Sequence, residues 1–195
     1  HLLADFYQKT GSEKDARKVY ETILEIDPDN ARAQLALAEG STRKSDDLAY
    51  LEAMRPVFED PGTDLDLKIG RLMPILEQVS ETGDEALADA TLRLTQILEE
   101  THPAQAKPLA AAGDLYYLSN RARPAAAKYA KALEFDDSNF LLWENLFAAL
   151  QASRQWNDLI TWSEEAMFVF PNQALVYYMN GYALQATGQN NDALE

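Results

Sequence analysis

The residues able to do chemistry in this chain are few and poorly spaced for it. There are two histidines, His1 and His102, and no cysteine, so a zinc site would have to gather imidazole and carboxylate ligands from distant segments. His102 stands directly before Pro103 at the expected end of a helix, where terminal carbonyls are its natural partners. A Ser-His-Asp arrangement finds no nucleophile-elbow motif to carry it. None of the eight glycines lies two positions from another, which removes G-x-G-x-x-G, and no G-x4-G-K-[ST] occurs. Asp27-Pro28-Asp29-Asn30 and Asp136-Asp137-Ser138-Asn139 are oxygen-rich, yet they lack the glycine and distal glutamate of a calcium loop. Helix capping explains them better. The neighbours Asp46-Asp47 and Glu164-Glu165 point apart on a helix, so they cannot pair as acid and base and belong to a solvated face. The expectation is no catalytic residue, no metal, no cofactor and no enzyme activity within this chain.

Composition narrows the partners. Apolar residues make up 47% and charged ones 25%, the ordinary range for a folded soluble protein. Net charge is -15 with no basic stretch, which argues against nucleic acid and anionic membrane and leaves protein or peptide. The charge is uneven: residues 1–103 hold 22 acids, 11 bases and 5 aromatics, whereas residues 104–195 hold 10 acids, 6 bases and 14 aromatics. The two ends therefore offer different surfaces. Absence of cysteine removes disulfides without fixing a compartment, so cytoplasm and bacterial periplasm or envelope both remain. Beginning at His1, without an initiator Met or a basic-then-apolar leader, the chain reads as an excised or processed segment whose targeting signal lies elsewhere. Residues 166–191 carry no charge, but Pro171, Asn180, Gly181 and several Asn and Gln interrupt them too often for membrane insertion. Oligomeric state is left open.

What the chain does offer is a repeated pattern of large and small residues. Leu109 to Asp137 is its best unit: Leu109, Ala112, Gly113 and Tyr116 fall on one helical face, and Ala125, Tyr129 and Ala132 on another. Residues as small as Ala112 and Gly113 make sense only where a second helix comes close. Pro108 and Pro124 fall in first helical turns, where a missing N–H costs little. Earlier, Leu3, Ala4 and Tyr7 lead through Gly11 to Ala16, Tyr20 and Ile23, with Ser12 and Asp15 as the expected cap and Pro28 as the stop. Tyr50 fills a slot where a small residue is expected, which predicts looser or shifted packing. After the break at Asp60-Pro61-Gly62, Thr63 with Asp66 and Thr82 with Glu85 are the expected caps of two longer helices, the first interrupted or kinked by Pro74. Trp143, Leu146, Phe147 and Leu150 then precede Leu159, Ser163 and Ala166, and Tyr177, Asn180, Gly181 and Leu184 precede Ala193.

Spacing ties these units together. The slot where each second helix should touch its first holds Ala16, Tyr50, Ala88, Ala125, Leu159 and Ala193, at intervals of 34, 38, 37, 34 and 34. Order and period resemble the tetratricopeptide repeat, W-x2-L-G-x2-Y then A-x3-F then P every 34 residues. The resemblance covers nearly the whole chain. It implies an all-α, right-handed α-solenoid of antiparallel helix pairs in a single unit, with repeats near 1–30, 31–60, 61–103, 104–137, 138–171 and 172–195, the first and last truncated.

The resemblance also implies where a partner would sit, because first helices in this family line a concave groove. Residues on that stripe and not consumed by packing are Asp5, Gln8 and Lys9; Arg32, Leu35, Glu39, Thr42 and Arg43; Met73, Glu77, Ser80 and Glu81; Lys107, Ala110, Asp114, Tyr117 and Leu118; Leu141, Glu144, Ala148 and Gln151; and Leu175, Tyr178, Tyr182 and Gln185. Of these, Tyr117, Leu118, Leu141, Glu144, Leu175, Tyr178, Tyr182 and Gln185 form the candidate partner-binding groove, being the most apolar and aromatic part. Tyr178 and Tyr182 could equally cover a further repeat. Family members that clamp a terminal carboxylate use Asn where this chain has Asp5, Glu39 and Asp114, so that specialisation does not fit. The implied function is a non-catalytic protein-protein interaction scaffold. Alternatives are the substrate-recruiting arm of a larger enzyme and a bacterial envelope assembly or secretion scaffold.

Overall fold

The computed structural model describes residues 2–28, 30, 32–34, 36–37 and 47–189. Expectations for His1, Asp29, Leu35, Glu39, Thr42, Arg43, Asp46 and Ala193, and for the side chains of Asp5, Gln8 and Lys9, lie outside the described residues. Ten helices have defined bounds: α1 (Leu2–Lys9), α2 (Glu13–Ile26), α3 (Asp47–Glu59), α4 (Leu65–Thr82), α5 (Glu85–Thr101), α6 (Ala106–Leu118), α7 (Ala122–Leu133), α8 (Phe140–Ala152), α9 (Trp156–Val169) and α10 (Ala174–Ala186). The short links between α4 and α5, α6 and α7, and α8 and α9 leave room only for antiparallel neighbours. Each helix packs on the next in sequence from α4 to α10, and α3 on α5 and α4 on α6 stack across one intervening helix. The architecture is the expected all-α, right-handed, TPR-like solenoid.

The repeating slot is where the sequence and the packing agree most closely. Ala16, Tyr50, Ala88, Ala125 and Leu159 are all buried. Gly113 shows why the slot opposite must stay small: a Cβ placed there would lie 2.6 Å from the Tyr129 ring. One period on, the sizes are reversed. Phe147 takes the place of Gly113 and Ser163 that of Tyr129, and both are fully buried. Volume is therefore conserved across the pair while shape is not, as close packing requires. Tyr50 is buried to 1% exposure within the same core as Met54, Phe58 and Leu72.

The helix turns repeat as regularly as the core. Arg121 N–H bonds to Tyr116 O, Gln155 to Leu150 and Gln189 to Leu184, at 2.8–2.9 Å. The residue before each donor, Asn120, Arg154 or Gly188, is left-handed, with φ of 59°, 56° and 82°. This is the six-to-one closure of a Schellman turn, placed every 34 residues.

Several caps differ from expectation by one or two positions. Asp64, not Thr63, caps α4 by accepting from Leu67 N, because the Thr63 hydroxyl is donated to Asp60 Oδ2 at 2.6 Å. Asp84, not Thr82, caps α5 by accepting from Leu87 N, while Thr82 bonds back to Gln78 O as the last residue of α4. Ser12 occupies the cap position of α2 without a side-chain cap bond. Pro74 does not interrupt α4, which runs through it from Leu65 to Thr82. The oxygen-rich loops do cap helices: Asn30 Oδ1 accepts from Ala33 N and Asn139 Oδ1 from Leu141 N, both at 3.1 Å.

Two cores meet at α6. Ala111 and Leu115 join the cluster built from α3, α4 and α5, whereas Leu109 joins the one built from α7 to α10. A third, smaller cluster holds Ala4, Ala16, Tyr20 and Ala33.

Candidate functional site

The face that could hold a partner is built by helix register. In α6 the buried positions are Pro108, Leu109, Ala111, Ala112, Gly113 and Leu115, which leaves Asp114, Tyr117 and Leu118 on the remaining stripe. Those three open onto α4, whose own free stripe carries Met73, Glu77 and Ser80, and together they line a cavity of about 490 Å³ with Pro74, Leu76, Tyr129 and Asn145. On the other side of Tyr117 a second cavity of about 470 Å³ is lined by Ala148, Gln151, Ala152, Arg154, Trp156 and Tyr182. Tyr117, 39% exposed, is the wall both share.

Of the eight groove residues expected from sequence, Tyr117 and Leu118 line the first cavity and Tyr117 and Tyr182 the second. Tyr178 joins them through its ring, which stacks on Tyr182 with centroids 6.3 Å apart. Trp156 meets Tyr182 edge to face at 5.7 Å, so three aromatic rings run along one wall. Leu141 is 59% exposed, Gln185 is exposed, and Glu144 and Leu175 are half-buried. None of these four lines either cavity. Sequence reasoning missed Asn145, Arg154 and Trp156. Arg154 was findable, since it lies one period after the turn residue Asn120.

Electrostatics divide the groove. Asp114 Oδ1 accepts from the Tyr129 hydroxyl at 2.7 Å and from Asn145 Nδ2 at 3.5 Å. Burial pushes the Asp114 carboxyl above the usual range, and the Tyr129 hydrogen bond partly opposes it. Burial, and then the Asp114 charge, push the Tyr129 hydroxyl above its own range. Neither Lys nor Arg lines that first cavity, whereas Arg154 lines the second.

Away from the groove, His102 differs from expectation. Its backbone N–H bonds the helix-end carbonyl of Leu98 at 2.9 Å, but its ring turns to a lysine: Nε2 lies 2.8 Å from Lys68 Nζ. Lys68 is fully buried and also donates to Asp60 O at 2.6 Å and Phe58 O at 3.3 Å. Three acceptors thus match the three protons of the ammonium. Because lysine can only donate, Nε2 must be the unprotonated nitrogen and the ring proton sits on Nδ1. Burial, then the Lys68 charge, hold the imidazole below its ordinary pKa. The pair clasps the end of α3 to α4 and α5, a structural duty that keeps the His102 imidazole out of both groove cavities. Among the described residues no group of three or more His, Asp or Glu is placed to hold a metal ion. Among them, too, no helix is long and apolar enough to cross a membrane.

Comparison with known proteins agrees with this architecture. The tetratricopeptide repeat profile matches residues 1–40. No curated protein sequence matches the chain. Two solved structures of MamA are similar in fold, each at 14% identity and a TM-score of 0.50 over 98% of this chain, covering 88% and 82% of theirs. Likeness at that identity speaks for the fold and not for a shared ligand. With the repeat matched over residues 1–40, the period of 34 in its turns and the stacked helix pairs through to α10, the chain has the fold of a tetratricopeptide-repeat-like solenoid.

Proposed function

We propose that this chain is a non-catalytic interaction scaffold, holding an extended or helical segment of a partner protein in the concave face formed by residues 107–186. The observation that carries the reading is Tyr117, a half-exposed ring shared by two adjacent cavities and continued by the Trp156, Tyr182 and Tyr178 rings. Aromatic side chains are the usual energetic anchors of such surfaces, since each buries a large area at little cost in rotamer entropy. The two cavities along one face suit a segment with several anchors better than a compact ligand. The test is the triple substitution Tyr117→Ala, Tyr178→Ala and Tyr182→Ala. It should abolish capture of linear peptides selected on the native protein while far-UV helicity is unchanged. Retained binding by the triple variant would overturn the proposal.

A further inference from the structure

At the junction between α4–α5 and α6–α7, three acids have their own bases. Asp66 pairs with Lys107, Asp89 with Arg121 at 2.6 Å, and Glu99 with Lys128 at 2.6 Å. Glu77 and Asp114, which share the first groove cavity, have no base within reach among the described residues, as is also true of Glu81, Glu85 and Glu100 outside it. Asp114 Oδ1 is occupied by Tyr129 and Asn145, and no donor among the described residues reaches Oδ2. Around these two carboxyls stand Met73, Leu76 and Leu118, which are apolar, and the ring of Tyr117.

We infer that this cavity receives an arginine or lysine side chain from the partner segment, the cationic head held between Asp114 and Glu77 and its stem along Met73, Leu76 and Leu118. The inference rests on the groove reading above and adds the charge of what fills it. Three features match that occupant. Apolar walls accommodate a methylene stem whose head is charged. The Tyr117 ring offers its face to a cation. Two carboxyls without an internal base supply the counter-charge, and a chain of net charge -15 favours approach of a basic segment. Arginine fits better than lysine, because its planar fork can bond Asp114 and stack on Tyr117 together.

The experiment pans a random linear peptide library displayed on phage against the whole chain at low salt, then measures the selected peptides by fluorescence anisotropy. Selected peptides should carry Arg or Lys flanked by apolar residues. Exchange of that peptide Arg for citrulline should weaken binding roughly tenfold, the loss of about one charge-assisted hydrogen bond. Against Glu77→Gln or Asp114→Asn the same exchange should cost less, because one of the two counter-charges is gone, and against the double variant it should change little. Asp114→Asn keeps an oxygen for the Tyr129 hydroxyl, and Glu77 is exposed, so both variants should fold, with circular dichroism as the check. Peptides that bind, are lost in the triple tyrosine variant and contain no cation would overturn this inference while leaving the groove reading intact. A required cation insensitive to both carboxyl variants would also overturn it. Failure to select any peptide dependent on the three tyrosines would overturn both.

Discussion

The junction between α5 and α6 and the packing beyond α7 supplement their apolar cores by different means. At the first, the contacts crossing the boundary include three ion pairs, and the buried Lys68–His102 clasp lies just behind them. Beyond α7 the contacts are aromatic: within the α8–α9 pair Trp143 meets Trp162 at 5.7 Å and Phe170 at 6.4 Å and Phe140 meets Phe170 at 5.0 Å, and across the next boundary Trp156 meets Tyr182 at 5.7 Å. Charge tolerates irregular spacing, since a flexible side chain can reach across a variable gap. Rings do not, because their contact needs fixed register. The intervals of 38 and 37 fall on the ionic side and the last two of 34 on the aromatic side, so in this part of the chain irregular spacing goes with charge and regular spacing with rings.

The largest expected break of this contrast is Trp143→Ala. Trp143 is 1% exposed, and its indole N–H donates to Asp137 O. Removing it should cost about 3–5 kcal/mol, measured by urea denaturation, with little dependence on salt. A loss confined to under about 1 kcal/mol would show that the rings do not hold that half.

Acid should act on the other half. His102 has its folded pKa depressed by burial, so its neutral form is favoured in the native state and its charged form in the unfolded chain. Stability contributed by His102 is thus complete above its unfolded pKa, about 6.5, and is lost as pH falls below that toward the folded value. Asp114 works in the opposite sense, since its raised folded pKa adds stability as pH falls toward the ordinary carboxylate range. Comparing the native chain with His102→Gln isolates the histidine, as glutamine offers Lys68 an uncharged acceptor. The decline just below about pH 6.5 should flatten in the variant; equal declines would break the assignment.

The smallest effect belongs to the ion pairs, Arg121 with the exposed Asp89 and Lys128 with the half-buried Glu99. Arg121→Ala and Lys128→Ala should each cost under about 1 kcal/mol at low salt, and the difference should fade as salt screens the pairs. Since Arg121 also lies over the Tyr116 ring, 5.2 Å from its centroid, its loss should keep a salt-insensitive remainder that Lys128 lacks.

What could be read from the sequence followed from sterics, and what could not followed from reach. The slot running from Ala16 to Leu159 was legible because two helices in contact permit few residue sizes there. Tyr50 occupied that slot without being small, and it is nonetheless buried to 1% exposure in the core with Met54 and Phe58. Caps were misassigned because Thr63 and Thr82 found nearer partners than the N–H groups they were expected to serve. In the groove, the stripe rule located Asp114, Tyr117, Leu118 and Tyr182, but Asn145 and Trp156 come from other faces and turns. The Lys68–His102 contact joins residues 34 apart, one on α4 and one at the end of α5, and nothing in local pattern announces it.

The size reversal between Gly113 with Tyr129 and Phe147 with Ser163 bears on how such a chain can be lengthened or recombined. Swapping α8 for α6 alone would set a phenylalanine against Tyr129, and swapping α9 for α7 alone would leave a void beside Gly113. Either crossover point falls between two halves that were fitted to each other. The smallest module that can be duplicated, deleted or grafted is therefore the helix pair cut at its outer loops, and the natural cut sites are near residues 104 and 138, not at the tighter turns of Asn120 and Arg154.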